Sequence, residues 1–471
     1  MPSCPEANLV LTLNFFIQEW QLLDALKEIH LFMWIFYKRQ IKKNFLILGL
    51  FLHLFASVIT AQEVTKNYSL TLKEAEETFL KNNLLLLAAK FEIDVKKAGI
   101  IQAKLYANPN IFIDQNVFND NTYRYFDTTR SGQTTVQIQQ LFLLGGKIEK
   151  RTKVAEINKA ISEQQFFDLL RALKFELRSS FFAIHFLRQS IQFYDGSIAA
   201  LRKTVSSLEK AYEKRAVLQA EMLRLKALLF FLENERTEAV VQIRQKEASL
   251  RILLNSPEMA NANFVPKIDP KSLEDVKLSD LKLNKVLEDA FENRPDLKVA
   301  IQALKLEEAN LALQQANAIP DLSFGPMYNR NGTAYPNYWG ITAQLNVPIF
   351  DRNQGNIEAA EKSILTKRSE LQNQKLQAEN EVNIVFNRVL EKDRLYQNFK
   401  NKFAEDYTNL AQLMISNYEK RYLTIIEFAD FFETYRSSVQ QMLKLQIDRV
   451  ESIENLNYSV GKNILNIQPL E

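Results

Sequence analysis

The chain has 471 residues, 46% hydrophobic and 24% charged, which excludes a wholly disordered polymer. Its 11 glycines and 12 prolines compare with roughly 33 and roughly 24 at average usage, so tight turns are few and long helices must dominate. A formal charge of +3 leaves no electrostatic footprint for nucleic acid, and a single cysteine, Cys4, allows neither an intrachain disulfide nor a Cys-based zinc site.

In chain order, residues 1–32 read as an upstream extension ahead of a better start at Met33. Residues 33–61 read as a secretory signal: Lys38, Arg39, Lys42 and Lys43 precede an apolar run from Phe45 to Ala61, and polar sequence begins at Gln62. That run is slightly short for a membrane anchor of about 20 residues. Removing residues 1–61 leaves no cysteine and one histidine, His185.

The remainder repeats itself. Residues 72–113 align without a gap on 283–324, 211 positions later, so that Leu72 meets Leu283, Asn82 meets Asn293 and Ala98 meets Ala309. Tyr212-Glu213-Lys214-Arg215 recurs as Tyr418-Glu419-Lys420-Arg421, 206 positions later. A period this long is a duplicated structural half, far beyond the 20–50 residues of a solenoid unit. The expected halves are 62–254 and 283–471, joined by the segment 255–282, rich in proline and aspartate from about Asn255 to Asp280.

Each half predicts one helix first, over Leu72–Tyr106 and Leu283–Ala318. Two short alternating runs follow. In the second half Trp339, Ile341, Ala343, Leu345, Val347 and Ile349 alternate with polar or small residues, predicting a strand over 339–350. Thr134–Phe142 alternates likewise, with partners expected over 109–118 and 320–329, where Pro326 weighs against a central strand. The connections 119–132 and 330–338 read as loops. A very long helix then begins near Gly146, with turns expected near 215–218 and 421–424; Ile357, Ile364, Leu371, Ala378 and Val385 recur every seventh position, the coiled-coil spacing.

Strands of about ten residues with one apolar and one polar face match transmembrane β-strands. Four cannot close a barrel, for which about eight is the small end, and an open edge in lipid is prohibitive. Several chains must therefore pool their strands. The competing expectations are a periplasmic adaptor or a coiled-coil scaffold of an export complex. An adaptor requires a single hairpin with a nested β-rich domain.

The duplicated helix–strand–strand–long-helix unit resembles the TolC-type outer-membrane efflux channels over about residues 68–467. Gln140-Leu141-Phe142-Leu143-Leu144-Gly145-Gly146-Lys147 is similar to the segment leaving the first strand pair. Val347-Pro348-Ile349-Phe350-Asp351-Arg352-Asn353-Gln354-Gly355-Asn356 is similar to that leaving the second, in the branch serving heavy-metal pumps. The resemblance implies a mainly α protein with a membrane β-barrel: a homotrimer pooling four strands per chain into twelve, above a periplasmic helical tunnel. It implies outer-membrane lipid around the barrel, a periplasmic adaptor (membrane fusion) protein, and an inner-membrane transporter of the resistance–nodulation–division type. It also implies that the channel is a passive exit duct for metal cations or drugs. The family's tip turn often carries glycine, whereas Arg215-Ala216 and Arg421-Tyr422 stand there in this chain.

No catalytic motif is present, so no enzyme, cofactor or dedicated metal site is expected. Function is expected at the gate. Glu221, Glu427 and Asp430 are candidates for an acidic ring, as in cation pores, with Lys214, Arg215, Lys420 and Arg421 as ion partners or adaptor contacts beside Tyr212 and Tyr418. A solvated coiled-coil face is the competing reading of these charges. Tyr335, Tyr338 and Trp339 are expected to form an aromatic girdle at the outer interface, with Tyr123, Tyr125 and Phe126 as counterparts from the other loop.

Overall fold

A computed structural model describes residues 67–465, except 270–272, 274–275, 277, 279–280 and 333, and without the side chains of 400–412 and 419. The leader and the upstream extension expected over 1–61 lie outside the described residues.

The duplication organises everything. The first half runs β1 (Asn67–Thr71), α1 (Leu72–Asn82), α2 (Leu84–Lys104), β2 (Asn110–Gln115), the short hairpin β3 (Phe118–Asn119) and β4 (Arg124–Tyr125), β5 (Gln133–Phe142), α3 (Lys147–Glu213) and α4 (Gln219–Leu254). The second runs β6 (Asn263–Lys267), α5 (Leu283–Asn293), α6 (Pro295–Asn317), β7 (Leu322–Asn331), β8 (Tyr335–Leu345), α7 (Gln354–Glu419) and α8 (Ile425–Val460).

The helix expected over 72–106 is two helices. At Asn83 the backbone turns extended (φ −65°, ψ 122°), and its side chain accepts from Leu86 N and donates to Leu253 O. The helix expected over 283–318 breaks likewise at Arg294, because the next residue is Pro295, which disfavours helical backbone before it and suits the first helical position after it. Neither β1 nor β6 was expected. They pair in parallel, Asn67 with Asn263 through Thr71 with Lys267. The buried Glu247 carboxylate accepts from Phe264 N and from Arg188, holding β6 against α4 and α3. Arg178 forks onto Glu454 at 2.6 and 2.8 Å and reaches Glu76 at 2.7 Å, tying α3 to α8 and α1. Around these belts Phe79, Leu177, Phe181, Ile184, Phe264 and Ile453 form the larger core.

The four long strands form one antiparallel sheet in the order β2-β5-β7-β8. Pro326 sits in the central strand β7 despite the expectation. The β5–β7 pairing runs from Gln133 with Asn331 to Gln137 with Met327 and resumes at Gln140 with Phe324, so the ladder is interrupted where proline has no N–H to donate. Beside it, a Cβ on Gly325 would stand 1.8 Å from Ile138 O, so only glycine fits there. β8 begins at Tyr335 and ends at Leu345, earlier at both ends than expected, because Leu345 already faces Leu322, the first residue of β7. Among the described residues no strand lies beside 346–350.

Register divides the sheet into two faces. Ile111 and Ile113, Val136 and Ile138, Phe324 and Tyr328, and Trp339 and Ile341 share one apolar face. Gln137, Gln139 and Thr342 share the other, where Thr342 Oγ1 accepts from Gln137 at 3.1 Å and donates to Gly325 O. Below the sheet, α3 of 67 residues and α7 of 66 each extend roughly 100 Å at 1.5 Å per residue. They fold back as hairpins into α4 and α8. Among the described residues no helix is long and apolar enough to cross a membrane.

Candidate functional site

The hairpin tips are built twice on one plan. Each outgoing helix ends in a left-handed residue, Arg215 (φ 58°) and Arg421 (φ 60°). Around it the backbone closes two bonds: Arg215 N donates to Tyr212 O and Ala216 N to Ala211 O, as Arg421 N does to Tyr418 O and Tyr422 N to Asn417 O. This is a Schellman motif with arginine where glycine is usual. The turns therefore occupy 214–218 and 420–424, starting one residue earlier than expected and ending where expected.

The return helices start differently. Thr424 caps α8 in a capping box: Glu427 N donates to Thr424 Oγ1, and the Glu427 carboxylate accepts from Thr424 N at 2.8 Å and Oγ1 at 2.9 Å. Those bonds, backbone first, hold the Glu427 carboxyl below its ordinary pKa. Leu218 caps α4 with no side-chain bond.

The two tips meet through α4 and α8. Phe428 and Phe432 from α8 are buried with Leu201, Leu208, Leu225 and Leu232 of the other hairpin. Tyr418 stacks on Phe428 at 4.6 Å; burial, then the nearby Glu221 charge, raises its phenol pKa. Asp430 pairs with Arg224 at 2.7 Å, with both side chains roughly half exposed. Farther up, Arg436 pairs with Glu235, whose charge together with burial pushes Tyr194 up to about 12. Burial is the first cause of that shift and the carboxylate the second.

The structure therefore brings Glu221 beside Tyr418 and puts Asp430 on α8, while Glu427 is engaged as a cap. The basic residues Lys214, Arg215, Lys420 and Arg421 stay on the turns, and Asp430 takes Arg224 instead. Arg224 was missed, although one signal pointed to it: it stands 206 positions before Asp430, so the same position of the two repeats carries opposite charges.

The proposed aromatic girdle is divided between the faces. Trp339 packs on Tyr328 at 5.0 Å on the apolar face. Tyr338 lies over Gly340 on the polar face and meets Tyr335 edge-on at 6.4 Å. At the same end, Tyr123 and Tyr125 pack around Phe118. Asp127 fastens that loop by accepting from Thr122 at 2.6 Å, Thr129 at 2.6 Å and Asn119 at 2.9 Å. Hydroxyl bonds from Thr122 and Thr129 hold its carboxyl far below the usual range. Among the described residues no group of three His, Cys, Asp or Glu side chains is placed to hold a metal ion.

A duplicated chain with a membrane-type four-stranded sheet above paired helical hairpins defines the architecture of the TolC-type channels. Residues 286–462 match the family model described as outer membrane efflux protein. The matched residues lie in the second half of the chain, and the family they match is one of efflux proteins. The chain is 25% identical over 295 residues to the cobalt-zinc-cadmium resistance protein CzcC of Cupriavidus metallidurans, a match spanning 62% of this chain and 66% of that one, just under two thirds of the relative's length. Among solved structures, CusC superposes with a TM-score of 0.68 at 17% identity, covering 85% of this chain and 96% of that one. The Campylobacter jejuni CmeC outer membrane channel superposes at 0.69 with 13% identity, covering 86% and 92%.

Proposed function

We propose that the chain is one subunit of an outer-membrane efflux channel, a passive duct that receives its cargo from an inner-membrane transporter through a periplasmic adaptor. The observation that supports this best is the sheet: one face apolar, the other polar, and both edge strands unpaired within the chain. Such a sheet has a stable place in lipid only if further copies close it into a barrel around a polar lumen.

The duplication supplies the mode of closure. Within the chain β5 pairs with β7, and α3 packs on α6. The repeat-related contacts are β8 with β2, and α7 with α2, and they are available only between copies. The faces they require are apolar and exposed: Leu84, Leu87, Phe91 and Val95 on α2, and Leu365, Leu376 and Ile384 on α7. Three copies give the twelve-stranded barrel and twelve-helix tunnel of the family plan. Trp339 and Tyr328 are its aromatic contacts with the outer interface. The resemblance to CzcC favours divalent metal cations as cargo, which pass through without a resident site.

The test is fractionation of cell envelopes followed by crosslinking and heat-modifiable gel migration. A trimer in the outer-membrane fraction supports the duct; a monomer in the soluble or inner-membrane fraction overturns it. For the gate, the readout is single-channel conductance and cation preference. Charge reversal at Asp430 is expected to alter one of them and the double reversal with Arg224 to restore it. Unchanged values in the Asp430→Arg variant would remove this pair from the gate.

A further inference from the structure

A cavity of about 430 Å³ lies between α3, the α5–α6 break and the end of α8, away from both tips and the sheet. Its floor is rigid. Arg178 is bound on both sides by Glu454 and Glu76, and Arg171 donates to Tyr458 O while its guanidinium stacks on the Tyr458 ring at 4.5 Å. Phe167, Phe175 and Pro295 add apolar wall. Around the mouth stand Lys174, Lys298 and Lys462. Glu454 is the single carboxylate lining the cavity, and both its oxygens are taken by Arg178. Two of the lysines are held only loosely, Lys174 at 3.4 Å from Glu76 and Lys462 at 3.5 Å from Asp289, against 2.6–2.8 Å for Arg178 and its two carboxylates, while Arg171 pairs with Asp168 at 2.6 Å and Asp296 at 3.4 Å.

The fold does not require these cations. The architecture repeats, so the same place recurs between α7, the α1–α2 break and the end of α4. There Lys298 corresponds to Leu87 and Lys462 to Ser256. The long helices are offset by 207 positions at their starts and 206 at their ends, and by either offset no cation appears: Arg171 maps to Ala378 or Gln377, Lys174 to Glu381 or Asn380, and Arg178 to Val385 or Ile384. Five cations have gathered at one of two equivalent places, over a cavity with aromatic walls.

We infer that this cavity is a binding site for an organic phosphate with an apolar body. Three ammonium groups, two of them paired only at 3.4 and 3.5 Å, suit a dianionic head, as point charges that need no fixed fork geometry. Phe167 and Phe175 offer the surface for the apolar part. Gln164 and Arg178 stand 17 and 31 residues beyond the start of α3, roughly 25 and 45 Å along its axis. The site is therefore well away from the sheet and from any bilayer around it, which points to a free phosphate ester and not a lipid headgroup in place. The site stands on the fold and goes beyond the channel reading; its test does not depend on transport.

The experiment is calorimetric titration of the purified full-length assembly with phenyl phosphate, inorganic phosphate, benzoate and phenol. Phenyl phosphate is expected to bind saturably and at least tenfold more tightly than inorganic phosphate, with phenol inert. Affinity should fall as salt rises. The Lys174→Gln/Lys298→Gln variant should lose at least tenfold while keeping its oligomeric state and channel conductance. Dioleoyl phosphatidic acid in nanodiscs should give no binding that this variant abolishes. No saturable binding of phenyl phosphate, or binding unchanged in the variant, would overturn the site. Benzoate binding as tightly as phenyl phosphate would overturn the choice of phosphate, and lysine-dependent binding of phosphatidic acid would overturn the exclusion of lipid.

Discussion

At the break between α1 and α2 an asparagine does the work that a buried arginine does between α5 and α6. Asn83 donates to Leu253 O, and 211 and 206 positions later Arg294 donates to Ser459 O. Asn83 Oδ1 satisfies Leu86 N; in the second half the equivalent Leu297 N is satisfied by Asp296. Asn255, left-handed at the end of α4, donates its side chain to Asn82 O, whereas its counterpart Gly461 brings backbone alone against Asn293 O. What the two halves share is a set of backbone groups needing partners at one place; which side chains meet that need was free to diverge. The first half solved it with neutral amides. The second used an ion network of Arg294, Asp296 and Glu381 beside the basic cavity.

The largest effect expected from this contrast is at Arg294. Arg294→Ala removes donors to Ser459 O, Asp296 and Glu381 together. Removing one partner of a buried ion network costs about 3 kcal/mol, against about 1–2 kcal/mol for one buried amide at Asn83→Ala. Urea unfolding midpoints of the two variants measure the difference; equal shifts would mean that the arginine acts as a plain hydrogen-bond donor.

The ion network also makes the second half acid-sensitive. Burial alone would raise the Asp296 pKa, but the Arg294 hydrogen bond and the charges of Arg171 and Arg294 outweigh it and bring it below 3.8. The folded protein thus binds this proton less tightly than the unfolded chain. The stabilisation is complete above about pH 5 and is lost as pH falls through the lowered folded value. Hydrogen exchange at the start of α6 should accelerate over that window, with no matching change at the start of α2. Asp296→Asn should flatten the profile. An intermediate effect is expected at the helix ends. Gly461→Ala places a Cβ 3.1 Å from Asn293 O at φ 76°, costing about 1–2 kcal/mol. Asn255→Gly relaxes its backbone while losing one bond, for a net change within about 1 kcal/mol. Thermal unfolding of the pair should rank them in that order.

Much of this was legible in the sequence where a pattern had length. Heptad spacing and the scarcity of breakers located α3 and α7 almost to the residue, and period-2 alternation located β5. Short features were not. β1 has five residues and pairs across 196 positions with a strand containing Pro266, a contact no local pattern encodes. Asn83 breaks a helix by a side-chain bond to a carbonyl 170 residues away. Pro295 did mark the second break, but the apolar spacing of α5 and α6 runs through it. At the tips the repeated Tyr-Glu-Lys-Arg located both turns, while the Arg224–Asp430 pair required the two hairpins to be seen side by side.

The smallest expected effect tests whether the tips can be made alike. In the second repeat Thr424 and Glu427 form the capping box; 206 positions earlier stand Leu218 and Glu221. The first tip therefore already holds the glutamate of a box and lacks only the hydroxyl. Leu218 is 70% exposed, so replacing it sacrifices little burial. Leu218→Thr should complete the box and stabilise the first turn of α4 by about 1 kcal/mol. Thr424→Ala should weaken the first turn of α8 by a similar amount. Hydrogen exchange of the amides of Glu221 and Glu427 reads the two caps directly. Drawing Glu221 back onto its own helix also takes its charge away from Tyr418, so the Tyr418 phenol should titrate lower in Leu218→Thr. Protection gained at Glu221 without that change would mean that the carboxylate serves both partners, and that the difference between the tips has no bearing on how they are held together.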